Sequence, residues 1–243
     1  MKCWICEQAE ATTGEHIIKA SDIGMLYQTL SPNQPAYLHD GGDEPRKIFS
    51  KKNQNLKFAK SLCAKCNSEV TQPHDVARDR FMRVLLEATR TSKFGAIRLG
   101  TLFPRDPQRG LLNTQLFFAK LFGCTAIAEE VPFDTSAIAR CIREGTPVRD
   151  LWIAATSYER GKRPLGAARG PIQALMRGEK IIAMHMMYYI DTLALFLSLS
   201  LPTTRALVPR RAWKPSDSMR SIRFAPVSDL PHRAKWMLGS EIA

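Results

Sequence analysis

The sequence predicts an α+β protein in two parts, and three observations carry that expectation. Four of its six cysteines form two C-x-x-C pairs within the first 66 residues. Helical apolar spacing follows the second pair, and the later chain turns to apolar runs that read as strands. Apolar residues make up 44% and charged residues 24% of the 243, an ordinary globular mixture that excludes wholesale disorder. No internal repeat is visible, which sets solenoids aside.

The first element is the cysteine set itself. A C-x-x-C turn puts two thiolates on one side of a tight knuckle, and two knuckles make a tetrahedral sulfur site suited to structural zinc. Cys3, Cys6, Cys63 and Cys66 are the expected ligands. A disulfide framework is the competing reading. It needs an oxidising compartment, and the amino end has no apolar run of signal-peptide length. A redox pair would explain one knuckle and leave the other unexplained. Cys124 and Cys141 lie in apolar and helical patterns and read as buried and inert.

A helix is expected from Cys63 through Asn67 to about Thr71, with Pro73 breaking or restarting it. Asp75 to Arg90 reads as a helix, with Val76, Phe81, Val84, Leu85 and Ala88 roughly on one face. Residues 91–110 carry three glycines and two prolines and read as a loop-rich junction. Leu111 to Val131 is predicted helical, ended by Pro132; Asp134 or Ser136 then caps a helix to Arg143, closed by Gly145 and Pro147. Strands are expected at Leu151–Tyr158, Pro171–Met176, Lys180–Ile190 and Leu193–Leu201, with Asp191-Thr192 as a turn. Residues 181–201 are long enough and rich enough in Leu and Met to leave a helix open. A membrane span there is disfavoured by His185, Tyr188, Tyr189 and Asp191. The tail from Pro202 reads as irregular. The domain boundary is drawn between 1–90 and 91–243.

Charge adds a partner class. Lys plus Arg total 35 against 23 Asp plus Glu, a net +12. Residues 1–90 hold 13 basic and 11 acidic side chains (+2), and 91–243 hold 22 and 12 (+10). Such an excess points to an anionic partner, of which nucleic acid is the commonest. Arg46, Lys47, Lys51, Lys52, Lys57 and Lys60 form one run with no acid among them, suited to holding a phosphate backbone without reading bases. Two further groups, Arg160 to Arg169 and Arg205 to Arg223 around Trp213, read equally as solvated faces.

The order Cys-x-x-Cys, Glu15-His16-Ile17-Ile18, Asn55-Leu56, Leu62-Cys63-x-Lys65-Cys66-Asn67 resembles the HNH endonuclease family, in its zinc-knuckle branch. The resemblance covers about residues 1–75. It implies a treble-clef-like ββα-metal module stapled by a four-cysteine zinc site, with a second α+β domain after it. It also implies hydrolysis of phosphodiester bonds in DNA, ahead of RNA. His16 would be the general base, a role suited to an imidazole of ordinary pKa near ~6.5. Asn55 would orient it. Glu15 and Asn67 would hold a catalytic divalent ion, Mg²⁺ ahead of Mn²⁺. Three features depart from the family pattern. Asn67 stands where His is frequent, Lys19 stands where proline usually follows H-I-I, and 56 residues separate Cys6 from Cys63. His39 and His74 are weaker candidates for extra ligands, and Asp75 matches an acidic position that also suits a helix start. A cytoplasmic protein with no membrane partner is expected, and a double-strand cut would call for a homodimer or repeated nicking. The rivals are a zinc-containing nucleic-acid-binding protein without catalysis, and an adaptor for an acidic protein.

Overall fold

A computed structural model describes residues 1–38, 44–91, 95–157 and 166–230. His39, His232 and the basic residues Arg160, Lys162 and Arg163 lie outside them. Up to Leu62 the chain has few continuous apolar patterns, and its regular elements are correspondingly short. They are α1 (Ala20–Leu26) and the antiparallel strands β1 (Ala36–Leu38) and β2 (Arg46–Ile48), which pair Ala36 with Ile48. Residues 13–17 run antiparallel to 56–62 through isolated bridges at Thr13–Leu62 and His16–Lys57. The Ile17 N–H donates to the Leu56 carbonyl (2.7 Å) and the Phe58 N–H to the Glu15 carbonyl (2.9 Å). Gly14 is obligatory in this pairing, because a Cβ would collide with the Phe58 carbonyl oxygen.

The second knuckle opens directly into helix. A π-helical turn spans Cys66–Val70, in which the Thr71 N–H reaches back to the Cys66 carbonyl (3.2 Å). Helix α2 (Gln72–Arg90) then starts with Pro73 in its first turn, where a missing N–H is tolerated. The restart expected at Pro73 is therefore present, and the wide turn before it absorbs the offset.

The junction expected to be loop holds β3 (Ala96–Arg98) and α3 (Leu99–Leu102). Helix α4 (Pro107–Ala128) begins four residues before the expected start. Asp106 caps it by accepting the Arg109 N–H (3.0 Å), and Pro107 fits its first turn. Helix α5 (Ser136–Glu144) ends at Gly145, left-handed at φ 63°, as its sequence suggested.

The strands β4 (Leu151–Ser157), β5 (Ala167–Arg169), β6 (Gln173–Arg177), β7 (Lys180–Ile190) and β8 (Leu193–Ser200) form one antiparallel sheet in the order β4-β8-β7-β5. Strand β6 pairs with β7 as well. Residues 181–201 are thus a hairpin, turning at Asp191 with φ 52° and pairing Ile190 with Leu193. Its period of two sends Leu193, Leu195 and Leu197 into the main core. Ala194 and Phe196 face the other side, against Ala225 and Leu230. A last strand, β9 (Ser221–Arg223), pairs with β3, Ile97 opposite Ile222.

One apolar cluster runs from Cys3 to Phe224, across the boundary drawn after residue 90. The Trp4 ring fills the notch at Gly123 of α4, and the Ile5 carbonyl accepts from Arg143 of α5. Among the described residues α4 alone is long and apolar enough to cross a membrane. Its most apolar stretch is 83% buried within the protein, as in a core helix.

Candidate metal centre and acid–histidine site

The four Sγ atoms of Cys3, Cys6, Cys63 and Cys66 lie within 4.8 Å of one another, and Cys6 and Cys63 are 3.9 Å apart. A tetrahedron of Zn–S bonds of roughly 2.3 Å has edges of about 3.8 Å. A disulfide needs about 2.05 Å, and all six cysteines are free thiols. Each knuckle has its own backbone device. Glu7 takes a positive φ of 59° just after Cys6, and the Cys66 N–H points at the Cys63 Sγ (3.4 Å). Burial pushes the Cys66 thiol up, whereas backbone N–H groups of Ala9 and Gln8 bring the Cys6 thiol down to about 6. Four sulfurs this close share a buried space most readily around a cation, so the donor set fits a metal ion such as zinc.

The bridged segments bring Glu15 and His16 to the start of α2 and the middle of α4. Neighbouring positions of an extended segment point to opposite sides. Glu15 faces inward and is 3% exposed, while the His16 side chain keeps 27% exposure. Lys57, directly opposite His16, occupies a non-hydrogen-bonded pair, so the two side chains rise from the same face.

Glu15 is fully engaged. One carboxylate oxygen accepts the His16 backbone N–H (2.7 Å) and lies 3.8 Å from His16 Nδ1; the other is ion-paired with Lys120. Lys120 is wholly buried in the middle of α4. Its ammonium also donates to Thr71 Oγ1 (3.1 Å) and Asp75 Oδ2 (3.2 Å). Asp75 is paired in turn with Lys19. Burial would push the Glu15 carboxyl up, but the Lys120 ammonium, the His16 imidazole and Lys19 outweigh it and hold it well below the usual carboxylate range. Burial likewise disfavours the Lys120 charge, and Glu15 and Asp75 more than restore it. The ring of Phe117 lies 5.1 Å from the Lys19 ammonium and 5.5 Å from that of Lys120.

Beside this cluster sits a second buried one. Arg78 clasps both oxygens of Asp22, at 2.6 Å from Nη1 to Oδ1, and the Tyr188 hydroxyl donates to the same carboxylate. Both side chains of the ion pair are fully buried. This cluster ties α1 and α2 to β7. It reaches solvent through Asp79, which accepts from Arg78 Nη1 (3.3 Å) and has a partly exposed side chain.

Several expected site residues take other places. The Asn55 side chain is exposed and makes no hydrogen bond to His16; only its backbone N–H is held, by Asn53 Oδ1 (2.9 Å). The Asn67 side chain makes none to Glu15, and the Asn67 backbone carbonyl accepts from the Thr71 hydroxyl (3.3 Å). Glu15 holds an ammonium where a divalent ion was expected, with both oxygens already committed. The residues present here do not fit a catalytic metal held by Glu15 and Asn67. His74 is buried beside this region with no partner for Nδ1. Burial first, and the Lys120 charge second, lower it to about 4. Of the basic run, Arg46, Lys47, Lys52 and Lys60 are exposed and Lys51 and Lys57 half-buried. Lys120 and Thr71 were missed as site residues. The signal for Lys120 was its position as the sole charge in the apolar stretch 111–128, which demands an acidic partner.

No family model matches the chain, and no curated protein or solved structure is significantly similar to it.

Proposed function

We propose that this protein is an endonuclease that hydrolyses phosphodiester bonds in nucleic acid, DNA ahead of RNA, with His16 as the general base. The observation that carries this reading is the pairing of a partly exposed His16 with a buried, anionic Glu15, in a chain that also holds a cysteine cluster suited to zinc. An imidazole that reaches solvent can act as a general base on an attacking water. The Glu15 carboxylate fixes the backbone from which it projects. Lys57 supplies positive charge on the same face, where a phosphate and its developing charge would lie. The exposed members of the 46–60 run extend that charge along a backbone-holding surface.

The test compares plasmid nicking by the wild type and His16→Ala at matched purity. The variant loses nicking while keeping its zinc content and melting profile. Equal nicking by the two contradicts the reading. One observation favours a second reading, a zinc-containing nucleic-acid-binding protein without catalysis: both oxygens of Glu15 are used internally. That protein binds DNA or RNA in a salt-sensitive way and cuts neither.

A further inference from the structure

We infer that Lys120 is the resident cation of the acid–histidine site, an ammonium seated where a divalent ion would otherwise bridge Glu15 and Asp75. The native chain therefore binds no divalent metal there. The inference concerns the same site as the nuclease reading, but its test reads metal binding and does not depend on cleavage.

The oxygen set around Lys120 is one a hard cation would use: a carboxylate oxygen of Glu15, one of Asp75 and the Thr71 hydroxyl. The distances to Thr71 and Asp75, 3.1 and 3.2 Å, are those of N–H···O bonds. A divalent ion would draw the same oxygens to about 2.0–2.6 Å. Charge is already balanced, because the two carboxylates face the two ammonium groups of Lys120 and Lys19. Adding a divalent ion would leave a buried excess of positive charge. Nor can Lys120 swing away. It projects from the centre of a helix whose neighbouring residues, Ala119 and Leu121, are themselves fully buried. Lys19 completes the arrangement from the foot of α1, its ammonium on Asp75 and over the Phe117 ring. That accounts for a lysine at the position where the resemblance led to a proline.

The full chain, loaded with one zinc per molecule, is titrated with Mn²⁺ and followed by electron paramagnetic resonance. The wild type shows no Mn²⁺ site that Glu15→Gln alters. Lys120→Ala opens the position and gains a Mn²⁺ site, with affinity raised by roughly tenfold or more. Adding Glu15→Gln to Lys120→Ala removes it again. A wild-type Mn²⁺ site that Glu15→Gln weakens overturns the inference, and so does a folded Lys120→Ala protein without a new site. Should Lys120→Ala fail to fold, the comparison of wild type with Glu15→Gln still decides. Absence of nicking under every condition would sink the nuclease reading and leave these titrations unchanged.

Discussion

Replacing Lys120 by Met removes the ammonium while keeping most of its hydrocarbon volume, so the perturbation is chiefly electrostatic. Asp75 retains Lys19, but Glu15 loses its ion pair and stays 3% exposed. Leaving one member of a buried pair uncompensated destabilises by about 3–5 kcal/mol. For a chain of this size that is a fall in melting temperature of roughly 6–20 °C. The pH dependence carries a second signature. In the wild type the Glu15 carboxyl is held low, so its stabilisation is present above the unfolded value near ~4.3 and is lost only as pH falls through the native value. In Lys120→Met the lone buried carboxyl is pushed up instead. Its penalty grows as pH rises above ~4.3, so the variant is closer to wild type at pH 5 than at pH 8. Denaturant melts of zinc-loaded protein at both pH values measure this, and Glu15→Gln added to Lys120→Met recovers part of the loss at pH 8. A Lys120→Met protein within about 1 kcal/mol of wild type at both pH values refutes the reasoning.

Three further outcomes are expected. Purified protein carries one zinc per chain, and Cys63→Ser loses it together with much of the thermal stability, because binding there is also folding free energy. Metal analysis and a melting curve check this, and an unaltered curve counts against the staple. Gly123→Val drives a branched side chain into the Trp4 ring, whose nearest atom would stand only 2.5 Å from the new Cβ, and destabilises by about 1–3 kcal/mol in chemical denaturation. Stability also falls as pH drops from about 6.5 to 4, since the unfolded chain protonates His74 while the native chain, at about 4, does not. That one group contributes up to about 3 kcal/mol, and His74→Gln flattens the slope in a pH series of melts.

Much of the fold was legible because its signals are local. Pro73 and Gly145 mark helix ends by backbone chemistry, and the period of two through Leu195, Leu197 and Leu199 pointed to a strand. A helix over 181–201 stayed open until the pairing of Ile190 with Leu193 closed the hairpin. The hairpin at Asp191 followed from the same pattern. What was hidden depends on distance along the chain. Strand β3 is three residues long and exists through pairing with β9, over a hundred residues away. At the site, the cysteines and the adjacent Glu15 and His16 could be read directly. The place of Lys120 could not: an isolated lysine in an apolar helix announces that it needs an acid, but only the packing of α4 against α2 and the segment carrying Glu15 says which ones. Asn55 and Asn67 were assigned by resemblance alone, and neither side chain bonds to Glu15 or His16.

The most direct test is plasmid nicking by the full chain carrying one zinc, without added divalent metal and with Mg²⁺, alongside His16→Ala. With Lys120 as the internal cation and His16 as the base, the wild type nicks to a similar extent in both buffers, and His16→Ala nicks in neither. Nicking that appears only with Mg²⁺, or that survives His16→Ala, contradicts it.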